Sequence, residues 1–135
     1  MRYMITIDIG TSSLRSILTS EFGKVAYTSS REYTTTFIYP SKVEQDPMIW
    51  KRAVMDTLKD VSRYMENNIS EVIAIGITSQ RASIIPVAKD GTPLHDAIMW
   101  QDKRTFQAIA APLSETSMED IYHKTCLRAN PYFVL

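Results

Sequence analysis

Apolar residues enter this chain in two rhythms, first as short β-rich runs and then at helical spacing. Tyr3–Ile9, Leu14–Ser20 and Val25–Tyr33 are rich in β-branched and aromatic residues and are separated by a Gly10–Ser13 loop and a turn at Phe22-Gly23, a pattern that predicts a β-meander. Thr34–Gln45 continues as extended chain or loop, with Pro40 and Ser41 as breakers. Asp46-Pro47 then supplies an N-cap and a first-turn proline, and Trp50, Val54, Leu58, Val61 and Met65 follow at steps of four, four, three and four. This predicts one amphipathic helix over Asp46–Glu66. Glu71–Gln80 is apolar and β-branched almost throughout, as expected of a central parallel strand buried on both faces beside a crossover helix. Ala82–Trp100 predicts a hairpin of two extended segments around a Lys89–Pro93 turn, where Asp90-Gly91 has the right turn chemistry. Lys103–Ala111 predicts a helix that stops before Pro112, and Ser117 with Asp120 a capping box for a short helix to Lys124.

Asn130-Pro131 forms another N-cap and first-turn pair, yet only Tyr132, Phe133, Val134 and Leu135 follow. A one-turn apolar helix does not hold itself, because nucleation is costly and tertiary burial must offset it. The chain therefore reads as a piece of a longer polypeptide. The plainer alternative is a native tail whose Phe133 and Leu135 tuck into the core.

Composition narrows the class without naming a function. The 135 residues suffice for one domain with a core, and 15 Lys and Arg balance 15 Asp and Glu, so nothing advertises nucleic acid or an acidic disordered tail. Cys126 stands alone, which excludes an intrachain disulfide framework and fits a reducing compartment. The opening MRYMITIDIG meets Asp8 too soon for a signal sequence or a membrane span, and the expectation is a soluble, cytoplasmic chain.

Chemistry concentrates at MITIDIGTSSLRSILTS. A strand that delivers Asp8 to its end and breaks into Gly10, Thr11, Ser12 and Ser13 makes a pocket of small residues, hydroxyls and free N–H groups, which suits anions. In that reading Thr11, Ser12 and Ser13 donate to phosphate oxygens, Asp8 holds Mg²⁺ through water, and Arg15 adds charge nearby. A plain hairpin, with Asp8 and Thr11 serving only the turn, is the commoner explanation of a bare D-x-G-T.

The segments DIGTSSLRSIL, VEQDPMIW, IGITSQRASIIPVAKDGTPLHDAIMWQDKRT and ANPYF, in that order, resemble the FGGY family of carbohydrate kinases. The resemblance covers nearly the whole chain and places residues 1–135 in the N-terminal part of the first of the family's two domains. It implies an α/β, ribonuclease-H-like (actin-like ATPase) fold, a mixed sheet with flanking helices, here truncated. It also implies transfer of the γ-phosphoryl of MgATP to a hydroxyl of a sugar or polyol in the cleft between the domains. On this resemblance Asp8 belongs to the Mg²⁺ and phosphate site, Gly10, Thr11 and Ser12 to the phosphate loop, and Arg15 lies nearby. Gln80, Arg81, Trp100 and Tyr132 fall on positions that line the acceptor pocket in glycerol-kinase-like members.

An arginine for vicinal hydroxyls and a flat apolar wall for the carbon face suit a polyol, and Arg81 and Trp100 supply one of each. Their plain alternatives are a surface ion pair and a core tryptophan. Glycerol kinases carry an acidic residue directly after this arginine, whereas Ala82 stands here and argues against glycerol as acceptor. The family's catalytic aspartate and its adenine-binding domain lie beyond Leu135, so the isolated chain is expected to be inactive and to self-associate through uncovered apolar surface. Two rivals remain. One is an actin-like or chaperone-like ATP-binding switch module. The other, ranked last because Asp8 is the single carboxylate on an apolar strand, is a nuclease.

Overall fold

Three strands at the N-terminus zip into the expected meander: β1 (Tyr3–Ile9), β2 (Ser13–Ser20) and β3 (Val25–Glu32) pair antiparallel in sequence order. The computed structural model describes residues 1–38, 40–106, 117–128 and 130. These fall into two units, Met1–Thr35 with Asp46–Gln80, and Thr36–Gln45 with the chain from Arg81 onward.

In the first unit the register puts Ile5 opposite Leu18, Ile7 opposite Ser16 and Ile9 opposite Leu14, so one face of the meander is apolar. Helix α1 (Pro47–Met65) lies across β2 and β3 on that face. Asp46 starts the helix by accepting the Met48 amide at 2.8 Å, with Pro47 in the first turn, as the sequence predicts. The buried stripe is Ala53, Thr57, Val61 and Met65, with Val54 and Leu58 partly buried beside it, packed on Ile5, Ile7, Leu14 and Leu18. Burying each Val, Leu, Ile or Met side chain here contributes about 1.5–3 kcal/mol. The two hydroxyls trapped in this interface satisfy each other, Ser16 and Thr57 at 2.8 Å, while Thr57 donates to the Ala53 carbonyl at 2.9 Å. Outside the core, Asp60 of α1 ties down β3 by accepting from Ser29 at 2.7 Å and from Arg31 at 2.6 Å.

After a 3-10 turn at Glu66–Glu71, β6 (Val72–Ser79) pairs parallel with β1, giving the four-stranded order β3-β2-β1-β6. The sheet is mixed, as expected, but the central, doubly buried placement of this strand is overturned. β6 is the edge of the sheet, and Ile73, Ile75 and Ile77 are 57%, 56% and 70% exposed. The reason is geometric: α1 covers β2 and β3, on the far half of the sheet.

In the second unit the stretch expected as extended chain or loop forms a hairpin. Thr34–Gln45 contains β4 (Thr36–Ile38) and β5 (Lys42–Gln45), antiparallel, and β5 pairs on its other side with β7 (Ala97–Ile98). The expected 82–100 hairpin is present as two isolated bridges, Ile84 with Ile98 and Val87 with Pro93, around a turn in which Gly91 takes φ +83°. A 3-10 turn at Arg104–Phe106 opens the stretch expected to be helical, and residues 107–111 lie outside the described residues. Helix α2 (Met118–Thr125) starts on Ser117, whose hydroxyl accepts the Asp120 amide at 3.0 Å, and ends at Cys126 with φ +57°. Of the expected helix start at Asn130-Pro131, Asn130 is described and residues 131–135 lie outside the described residues. No described helix is long and apolar enough to cross a membrane.

Candidate functional site

Parallel strands end at the same edge of a sheet, and that edge is where α/β proteins hold ligands. In the first unit β1 and β6 end side by side, Ile9 opposite Ser79, and the Gln80 amide donates to the Ile9 carbonyl at 2.8 Å. The Gly10–Ser13 loop emerges there. It is tight because the Gly10 amide donates to the Ser13 carbonyl at 2.9 Å, and a β-carbon on Gly10 would sit 3.0 Å from that same oxygen. The expectation of free N–H groups is thereby corrected at Gly10, whose amide is used inside the loop.

Tyr33, directly after β3, holds the loop at two points. Its amide donates to the Ser12 carbonyl at 2.9 Å and its hydroxyl to the Gly10 carbonyl at 2.6 Å. Burial, with the Asp8 charge second, pushes the phenol up to about 12, so it remains a donor throughout the physiological range. Sequence reading missed this residue, since nothing in the chain's pattern links position 33 to position 10. Thr11 donates through its hydroxyl to the Gln80 side-chain oxygen at 3.0 Å, which fastens the loop to the end of β6. Gln80 Nε2 is buried without a partner among the described residues.

Asp8 lies on the sheet face opposite α1, between Arg15 of β2 and Thr78 of β6 in register. It is half-buried, and its carboxylate has no hydrogen bond or ion pair among the described residues. Arg15, directly opposite and exposed, makes no ion pair with it. A single open carboxylate beside a hydroxyl-bearing loop fits a Mg²⁺ that keeps most of its waters. Among the described residues no three His, Cys, Asp or Glu side chains gather into a metal cage.

The residues expected to line the acceptor pocket fall in different units, with Gln80 in the first and Arg81 and Trp100 in the second. Arg81 is exposed and has no partner among the described residues. Ala82 takes φ +59°, a left-handed conformation that costs an L-residue about 1–2 kcal/mol. Trp100 is 38% exposed and is not a core residue. It lines a cleft of about 530 Å³ with Phe37, Ser41, Lys42, Gln101 and Lys103. Tyr132 lies outside the described residues. His95 and His123 are exposed.

Residues 3–135 match the N-terminal domain of the FGGY family of carbohydrate kinases. Among curated relatives, the glycerol kinase of Aquifex aeolicus is 40% identical over 134 residues, and that of Mycoplasmopsis pulmonis 36% over 134, each alignment taking in 98% of this chain and 26% of the relative. The chain thus spans about a quarter of their length. Among solved structures, the Plasmodium falciparum glycerol kinase with ADP superposes with a TM-score of 0.88 at 26% identity, covering 98% of this chain and 27% of that one. The ligand-bound xylulose kinase of Lactobacillus acidophilus gives 0.86 at 24%, covering 98% and 26%. The expected ribonuclease-H-like, actin-like fold is borne out, as a mixed sheet with a flanking helix. The sheet, the loop after β1 and the match along the chain lead to one conclusion: this chain belongs to the FGGY family of carbohydrate kinases.

Proposed function

We propose that this chain is the N-terminal quarter of an ATP-dependent kinase that transfers the γ-phosphoryl group of ATP to a hydroxyl of a sugar or polyol, in the cytoplasm. The observation that carries the reading is the loop after β1: an unpartnered carboxylate, Asp8, beside a glycine-tightened hydroxyl loop that Thr11 fastens to Gln80. In this reading Thr11, Ser12 and Ser13 face the phosphates and Arg15 adds positive potential on the same sheet face as Asp8. Asp8 would hold Mg²⁺ through water, and the ion would neutralise charge on the phosphoryl oxygens. Arg81 donates to acceptor hydroxyls, Trp100 and Tyr132 offer flat walls, and Gln80 also serves the acceptor. The catalytic base and the adenine site belong to sequence beyond residue 135.

A coupled ATPase screen of the full-length protein against pentoses, hexoses and polyols, glycerol included, tests the reading. Turnover should depend on one acceptor class, and Arg81→Ala should raise the KM for that acceptor about tenfold or more while leaving the KM for ATP within about twofold. Ala82 offers no oxygen to a hydroxyl, so glycerol should be a poor acceptor and Ala82→Glu should improve it. ATP binding without any acceptor-dependent turnover would favour the switch module instead.

The 135-residue chain by itself should show no acceptor-dependent turnover. It should also self-associate, because Ile73, Ile75 and Ile77 stand exposed on an edge strand that carries no charge to block pairing. Light scattering over a dilution series should find a dimer or larger species that Ile75→Lys disperses. A strictly monomeric chain would remove the association claim.

A further inference from the structure

The turn that carries Trp100 is held by buried charge. Met99 donates its amide to the Val43 carbonyl at 3.0 Å, and Lys103 donates to the Ser41 carbonyl at 2.9 Å, so backbone bonds to β5 and to the residue before it flank the turn. Between them the Asp102 amide closes the turn on the Met99 carbonyl at 2.9 Å. The Val43 amide lies beyond the end of β7, and the Asp102 carboxylate accepts it at 2.8 Å. A side chain thus stands in for a strand carbonyl.

Arg104 fixes that carboxylate. Its Nε donates to both Asp102 oxygens at 3.0 Å, its own amide to Oδ1 at 2.9 Å, and its Nη2 reaches Glu44 Oε1 at 2.8 Å. Lys42 holds the other Glu44 oxygen at 3.0 Å. The Asp102 and Glu44 side chains are only 4% and 6% exposed. On its other side the turn is tied to the chain just after Arg81: the Trp100 amide donates to Ser83 Oγ at 3.2 Å, and Ile84 and Ile98 exchange backbone bonds of 2.9 and 2.8 Å.

Buried ion pairs seldom stabilise a fold more than apolar residues of the same volume would, because desolvation offsets their attraction. What a planar guanidinium between two carboxylates does supply is direction. We propose that Asp102 is a positioning residue for the acceptor wall: clamped by Arg104 against Glu44, it sets the Trp100–Gln101 turn relative to the segment that follows Arg81. This inference rests on the kinase reading for its functional consequence but not for its structural one.

The test uses the full-length protein. Arg104→Lys, which keeps the charge and loses the fork, and Asp102→Asn, which keeps the shape, should each raise the KM for acceptor about tenfold or more, with the KM for ATP within about twofold. Glu44→Gln should act in the same direction and less. In a Trp50→Phe background, which leaves Trp100 as the tryptophan of residues 1–135, Arg104→Lys should lower the fluorescence anisotropy of Trp100, read against a Trp100→Phe blank. Unchanged acceptor KM with a lowered Tm would overturn the proposal, since that pattern marks a merely structural role. If the parent protein shows no acceptor-dependent turnover, the kinase reading fails. Anisotropy then decides the positioning claim alone, and an unchanged value rejects it.

Discussion

Asp8 and Asp102 are both aspartates within reach of an arginine, yet the chain treats them in opposite ways. Asp8 sits at the end of β1 with Arg15 directly opposite in register, and it takes no partner among the described residues. Asp102 accepts from the Val43 amide, the Arg104 amide and the Arg104 guanidinium. The surroundings explain the contrast. In the first unit the sheet is already held by Ile5, Ile7, Leu14 and Leu18 against α1, so a carboxylate on the other face is not needed for cohesion. In the second unit the described buried apolar residues are Val43, Ala97 and Met99, and the charges of Glu44 and Asp102 are buried among the elements they join. The first unit holds together without the Asp8 carboxylate, whereas the second is joined through that of Asp102.

The largest effect that can break this contrast is on turnover. Asp8→Asn in the full-length protein keeps the shape and removes the charge, so kcat should fall about a thousandfold or more while Tm stays close to the parent value. Steady-state kinetics with a thermal melt reads both. Near-normal turnover would return Asp8 to the role of a turn residue and erase the distinction.

The second test is acid. Burial raises the Asp102 carboxyl, but the hydrogen bonds from Arg104 and from the Val43 and Arg104 amides outweigh it and hold the group below the ordinary aspartate value. Glu44 behaves alike: burial raises it, and Lys42 and Arg104 bring it below the usual range. A carboxyl depressed in the folded state contributes stability that is present above its unfolded pKa and lost as pH falls through its folded pKa. Melts of the parent protein between pH 6 and the onset of acid unfolding should therefore show a loss that Asp102→Asn makes shallower. Equal slopes for the parent and Asp102→Asn would mean that the clamp is not formed in solution.

How much of this was legible in the sequence follows the same divide. The meander and α1 were readable because β-branched runs and a four-four-three-four spacing are signatures of burial, and Asp46-Pro47 marks the helix start unambiguously. The β4–β5 hairpin was not, since Thr36–Ile38 is exposed throughout and β5 buries Glu44 and Gln45, which polarity assigns to the surface. The apolar text of β6 signalled a covered strand, and no described element covers it. In the site, Gly10 and its hydroxyl neighbours were readable from their residue types. The grip of Tyr33 on Gly10 and the left-handed turn at Ala82 were not, because each depends on a backbone path that no local pattern encodes.

Ala82 provides the smallest and sharpest comparison. At φ +59° it carries strain of about 1–2 kcal/mol that glycine would not. Glycine also gains freedom in the unfolded chain, which costs about 0.4–1 kcal/mol of stability. The net expectation for Ala82→Gly is a gain of up to about 1.6 kcal/mol, a rise in Tm of a few degrees at most. Ala82→Val, whose branched side chain tolerates left-handed backbone least, should instead lower Tm. Arg81 hangs from the residue before this turn, and the Trp100 turn is bound to the residue after it, through Ser83. If the clamp at Asp102 sets the geometry of the second unit, Ala82→Gly should raise Tm without changing the acceptor KM, because Ser83 and Ile84 stay tied to the clamped segment. A raised acceptor KM in Ala82→Gly would show that the strained backbone itself aims Arg81, and would move the positioning role from buried charge to local conformation.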